Sequence, residues 1–156
     1  CIYSNKNDAY VLQRAHNLLI PSKVFTKNDF YFSDIILNDL KNREVDLIVL
    51  AGFLWLVPQN LIDNFPIINI HPALLPKYGG KGMYGDNVHK AVVANGEKES
   101  GITIHYVNDK YDDGQIIFQA KCEVLPTDTA DDVAKKVHQL EYRYFPEIIE
   151  KVVLSL

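Results

Sequence analysis

A chain of 156 residues fits one domain, long enough to bury about 70% of the surface its unfolded form exposes. Its formal net charge of -4, with no basic cluster, speaks against nucleic acid as a partner. Its two cysteines, Cys1 and Cys122, lack metal or redox spacing, and no apolar run approaches the ~18 residues of a membrane span. With no signal peptide either, these bounds predict a soluble cytoplasmic protein without a membrane partner. The chain begins at Cys1 and enters at once on an apolar segment, so a single domain over 1–156, incomplete at its N-terminus, is expected.

Cys1-Ile-Tyr-Ser reads as a short strand and Asn5-Lys-Asn-Asp as a turn. Asp8 is the expected N-cap of a helix from 9 to about 19, which Pro21 stops. Lys23-Val-Phe-Thr predicts a second strand. A helix from about 30 to 42 follows, capped by Asn28 or Asp29, with Phe32, Ile35, Ile36 and Leu40 as its apolar stripe. Val45-Asp-Leu-Ile-Val-Leu-Ala is a nearly continuous apolar run, the pattern of a central parallel strand covered on both faces. A short helix at 58–64 leads to a strand opened by Pro66, rich in β-branched residues at Ile67, Ile68 and Ile70, and closed by Pro72.

Strand alternation puts Asn69 and His71 on one face of that strand, about 7 Å apart. The pair reads either as two solvated polar residues on an edge strand or as part of a site where a strand leaves an open α/β sheet. Gly79, Gly80, Gly82 and Gly85 then form a loop, read as a mobile segment beside a site in preference to a phosphate cradle, since no GxxxxGK is present. A helix from 88 to 95 stops at Gly96. Ile102-Thr-Ile-His-Tyr-Val alternates cleanly, so Thr103 and His105 share a face. Asp109, Asp112 and Asp113 crowd the next turn before Ile116-Ile-Phe-Gln-Ala, a hairpin-like pair that makes the sheet mixed. Thr129 and Asp132 form a capping box for a long helix to about 154, bent at Pro146. Strand and helix in this rhythm predict an α/β doubly wound, mostly parallel (mixed) sheet.

Asn69-Ile-His-Pro-Ala-Leu-Leu-Pro-Lys-Tyr resembles the signature of the folate-dependent formyltransferases. Val49-Leu-Ala-Gly-Phe-Leu-Trp before it and the block from Gly101 through Asp112 to Ile117 agree in order and spacing. The resemblance is greatest to the members that formylate glycinamide ribonucleotide, and it runs from Tyr3 to about Pro146. It implies a Rossmann-like formyltransferase fold, with 10-formyltetrahydrofolate as co-substrate, glycinamide ribonucleotide as acceptor, a place in purine biosynthesis, and no metal. The family's first strand and its phosphate-binding Gly/Ser/Asn loop have no counterpart here, so both are expected upstream of Cys1 or lost.

The resemblance also implies roles. Formyl transfer to an amine passes through a tetrahedral intermediate, which needs an oxyanion donor and a proton carrier. Asn69, His71 and Asp112 match the family's catalytic positions, although Asp113 stands where a glycine is common. Trp55, Leu56 and Val57 match the folate-binding stretch, though the family often has a basic residue at the Trp55 position. His105 matches a histidine near the folate that steadies the Asp112 loop; a half-buried structural histidine is its other reading. Leu54, Pro72, His138 and Glu141 are the expected substrate contacts, Glu141 with the ribose hydroxyls. His16 and His89 read as surface residues.

Rival members of the same fold are a formyltetrahydrofolate deformylase, which tends to carry a second histidine where Pro72 stands, and a methionyl-tRNA formyltransferase, which adds a basic C-terminal domain. A noncatalytic nucleotide-binding domain is the rival from another class, and retention of Asn69, His71 and Asp112 argues against it.

Overall fold

The computed structural model describes residues 1–156. They form two compact units, Cys1–Val45 and Asp46–Leu156.

In the first unit, β1 (Ile2–Ser4) pairs in parallel with β2 (Ser22–Val24), and α1 (Tyr10–Asn17) makes the crossover that parallel strands require. The N-cap of α1 is Ala9, without a side-chain cap bond, and not Asp8. The single helix expected from 30 to 42 is two: α2 (Lys27–Tyr31) and α3 (Ile35–Asn42). Thr26, rather than Asn28 or Asp29, caps the first, in a capping box with Asp29. Ser33 explains the break. Its Oγ donates to the Asp29 carbonyl (3.0 Å) and accepts from Ile35 N (3.4 Å), offering the backbone an alternative to the helical ladder. Phe32 therefore leaves the apolar stripe and is 80% exposed, while Ile36 and Leu40 stay buried.

The second unit holds a four-stranded sheet in the order β3 (Ile48–Ala51), β4 (Ile67–His71), β5 (Glu99–Tyr106) and β6 (Ile116–Glu123). β3 and β4 run parallel; β5 is antiparallel to both of its neighbours, so the sheet is mixed. In this sheet β3 is an edge strand whose Val49 and Ala51 are exposed, not a central strand covered on both faces. β4 lies inside the sheet. Ile68 and Ile70 of β4, with Ile102 and Ile104 of β5, pack against α5 (Asp86–Ala94) through Val88 and Val92. Val133, Val137, Ile148 and Val152 of α6 (Ala130–Val153) complete that core. Full burial of each such side chain contributes roughly 1.5–3 kcal/mol. The capping box of α6 is formed: Thr129 Oγ1 accepts from Asp132 N (3.2 Å), and the Asp132 carboxylate accepts from Thr129 N (3.0 Å). Pro146 lies within α6. No helix is long and apolar enough to cross a membrane.

Candidate active site

In the β4–β5 register Asn69 faces His105 and His71 faces Thr103. Directly opposed residues share a face, so these four polar side chains stand together while the isoleucines between them fill the core. Three of them, His71, Thr103 and His105, are buried. Thr103 is fully satisfied: its hydroxyl donates to the Ala73 carbonyl (2.7 Å) and accepts from Leu75 N (3.0 Å) and Gln119 Nε2 (2.8 Å). It thereby ties the chain just past Pro72 to β5 and β6.

Asp112 reaches the same place from the β5–β6 turn, with φ at 54°. Gly114 lets that turn close, since a Cβ there would lie 1.7 Å from the Tyr106 carbonyl oxygen. Asp112 Oδ2 accepts from Gly80 N at 2.9 Å, which joins this turn to the glycine loop. Asp112 Oδ1 lies 3.5 Å from His71 Nδ1 and 3.7 Å from His105 Nε2.

The backbone settles where the protons sit. His105 Nδ1–H donates to the Tyr106 carbonyl (2.8 Å), so its Nε2 accepts from Asn69 Nδ2 (3.2 Å). That bond orients the amide and leaves its second N–H for another acceptor. His71 Nε2–H donates to the Tyr78 carbonyl at 2.7 Å. In the neutral ring, Nδ1 then holds a lone pair toward Asp112. Burial is the strongest influence on His71 and draws its pKa down, against Asp112 and the Tyr78 carbonyl. Burial pushes the Asp112 carboxyl up, but the neighbouring His105 and His71 rings and the Gly80 amide together outweigh it and hold the group below its usual range. A neutral imidazole thus stands beside an ionised carboxylate, and a proton arriving on Nδ1 would meet a counter-charge.

A cleft of about 990 Å³ opens onto this cluster. Asn69, His71, Pro72 and Asp112 line it, as do Leu54, His138 and Glu141. Burial raises the Glu141 carboxyl pKa, with His138 opposing. Trp55, Leu56, Val57 and His105 are not in the lining. Val57 is a core residue, Trp55 stacks edge-on against Phe53 with ring centroids 6.0 Å apart, and His105 stands behind Asn69. Sequence reasoning missed the aromatic lining supplied by Phe53, Tyr84, Tyr111 and Tyr142. The glycine loop at 80–85, read as a segment beside a site, was the one signal for Tyr84. His89 is not a surface residue: it is 2% exposed, its Nδ1 has no partner, and its ring lies 6.3 Å from that of His138. Burial, then His138, lowers its pKa.

The model of the formyl transferase family matches residues 1–149. The chain belongs to the formyl transferase family. Its relatives within that family include the chloroplastic phosphoribosylglycinamide formyltransferase of Arabidopsis thaliana, 41% identical over 155 residues, which cover 95% of this chain and 53% of that protein. The Haemophilus influenzae phosphoribosylglycinamide formyltransferase is 38% identical, over 96% of this chain and 71% of that protein. Among solved structures, the Streptococcus pneumoniae enzyme of the same name superposes with a TM-score of 0.86 at 32% identity, over 97% of this chain and 84% of that chain. The Anaplasma phagocytophilum enzyme gives 0.87 at 32% identity, over 99% and 74%. The chain spans about half the length of the plant relatives it matches. Its α/β fold with a mixed sheet is the one that the order of its strands and helices predicted, and it matches these solved structures.

Proposed function

We propose that the chain carries the formyl-transfer site of a phosphoribosylglycinamide formyltransferase, moving the formyl group of 10-formyltetrahydrofolate to the amine of glycinamide ribonucleotide in purine biosynthesis. The observation that carries this reading is the convergence of Asn69, His71 and Asp112 at one cleft, with Asp112 Oδ1 3.5 Å from His71 Nδ1.

The acceptor amine attacks the formyl carbon. A C–N bond forms, the carbonyl electrons move to oxygen, and the attacking nitrogen becomes positive. The free N–H of Asn69 is the donor for that oxyanion. The His71 lone pair, backed by Asp112, takes the excess proton from the attacking nitrogen. When the intermediate collapses, the bond to folate N10 breaks and the proton returns to N10. In this proposal Leu54 and Pro72 border the reacting groups, and Glu141 with His138 receives the ribose hydroxyls. The folate ring lies toward residues 51–54, which line the cleft and run into Trp55, Leu56 and Val57, while His105 holds Asn69 in place. An apolar slot with a few convergent polar groups suits a flat heteroaromatic ring. A cytoplasmic setting belongs to this proposal; the plant relatives are named as chloroplastic, so cell fractionation tests that part.

The test is product analysis with formyl-labelled 10-formyltetrahydrofolate and three acceptors: glycinamide ribonucleotide, water and methionyl-tRNA. Label should appear in the ribonucleotide. Release as formate at a rate independent of the ribonucleotide, or transfer to tRNA, would overturn the reading.

A further inference from the structure

The carbonyl that fixes the His71 proton belongs to Tyr78, a non-glycine residue held at φ 57°. That conformation costs an L-residue free energy, so contacts outside the backbone must hold it. The Tyr78 ring supplies them. Its hydroxyl donates to Glu97 Oε1 at 2.9 Å and accepts from Asn95 Nδ2 at 2.9 Å. Lys77 Nζ reaches both oxygens of the same carboxylate, at 2.9 and 3.2 Å. Asn95 and Glu97 flank Gly96 just past the end of α5. None of these four residues lines the cleft; Lys77, Tyr78 and Glu97 instead border a separate hollow of about 330 Å³. The formyl-transfer chemistry gives this clamp no direct part.

We infer that Glu97 is a positioning residue for the His71 proton, acting through the Tyr78 ring and carbonyl. The inference rests on the proposed role of His71 as proton acceptor. With the clamp released, Tyr78 can relax toward negative φ and swing its carbonyl away from Nε2. The neutral ring then has one strong acceptor left, the Asp112 carboxylate facing Nδ1. Its proton moves from Nε2 to Nδ1, since an N–H beside a carboxylate is favoured over a lone pair there. That tautomer occupies the nitrogen needed for the amine's proton. His105 and His89 also bear on the His71 charge, but neither accepts from its Nε2.

The experiment compares Glu97→Ala, Tyr78→Phe, their double variant and Glu97→Gln in the whole chain. Long-range proton–nitrogen correlation on histidine-labelled protein reads the tautomer of each ring without any substrate. Wild type should show His71 protonated on Nε2. Glu97→Ala and Tyr78→Phe should shift it toward Nδ1, and each should lower kcat by about fivefold with KM unchanged. The double variant should be no slower than either single one, as for two parts of one device. Glu97→Gln keeps an acceptor for the Tyr78 hydroxyl and should stay close to wild type in both readouts. Glu99→Gln, in the Glu99–Lys121 ion pair bordering the same hollow, should change neither readout. An unchanged His71 tautomer in Glu97→Ala and Tyr78→Phe would overturn the inference, as would a loss confined to KM. Because the tautomer is read without turnover, failure of this inference and failure of the formyl-transfer reading give different results.

Discussion

Asn69 is the residue whose task the geometry defines most narrowly. His105 takes one of its amide hydrogens and is itself locked by the Tyr106 carbonyl, so the second hydrogen keeps a fixed direction. A donor aimed in advance at a developing oxyanion acts on the transition state more than on the bound substrate. Asn69→Ala should therefore lower kcat by at least about a hundredfold, with little change in KM and an unchanged thermal midpoint. Steady-state kinetics on the folded variant check this; turnover near that of wild type would remove Asn69 from the mechanism. His105 should behave differently, because it acts through Asn69. His105→Phe leaves Asn69 free to rotate and should cost less than removing the amide itself.

At the scale of elements, the close β5–β6 turn holds the site, while the N-terminal cap of α6 stabilises the fold at a distance from it. Gly114→Ala would press a methyl group into the Tyr106 carbonyl, which cannot yield without breaking the ladder end where Tyr106 N donates to the Gln115 carbonyl (2.8 Å). Urea unfolding should show a loss of more than about 2 kcal/mol, and the refolded protein should have lost activity, because Asp112 lies two residues away. A midpoint like that of wild type would mean that the turn has another conformation. Thr129→Ala removes one half of the α6 capping box and should cost about 1 kcal/mol, leaving kcat nearly intact because Glu141 lies three turns further along. The capping box and the β4 strand were legible in advance, since each is written in a few adjacent residues. The break between α2 and α3 was not. Ser33 makes it through side-chain bonds to the backbone, which hydrophobic periodicity does not register.

For the molecule as a whole, local pattern says little about which strand ends up beside which. The apolar run that became β3 reads as central, yet in this sheet its one partner is β4, and the run itself does not say which strands flank it. Asn69 and Asp112 are 43 positions apart in sequence, and only the family resemblance linked them before the fold did. His89 escaped notice for the converse reason: a histidine on a helix looks solvated until the partner helix is in place. Its burial and that of His71 have a collective consequence. Both rings have pKa values lowered by the fold, so the unfolded chain binds protons first as pH falls. The stability they contribute is fully present above the unfolded histidine pKa of about 6.5 and is lost progressively below it. The urea midpoint should fall between pH 7 and 5.5, a window above the ordinary carboxylate range. His89→Gln should flatten that slope; a midpoint that rises on acidification would contradict both assignments.

The most direct test sets wild type beside Asp112→Asn in single-turnover transfer of labelled formyl from 10-formyltetrahydrofolate to glycinamide ribonucleotide. Asparagine keeps the size of the side chain and an acceptor for the Gly80 amide, but removes the charge that faces His71 Nδ1. Wild type should form labelled formylglycinamide ribonucleotide, and the variant should do so at least about a hundredfold more slowly while folding normally. Equal rates in the two proteins, or no labelled ribonucleotide from wild type, would contradict the account.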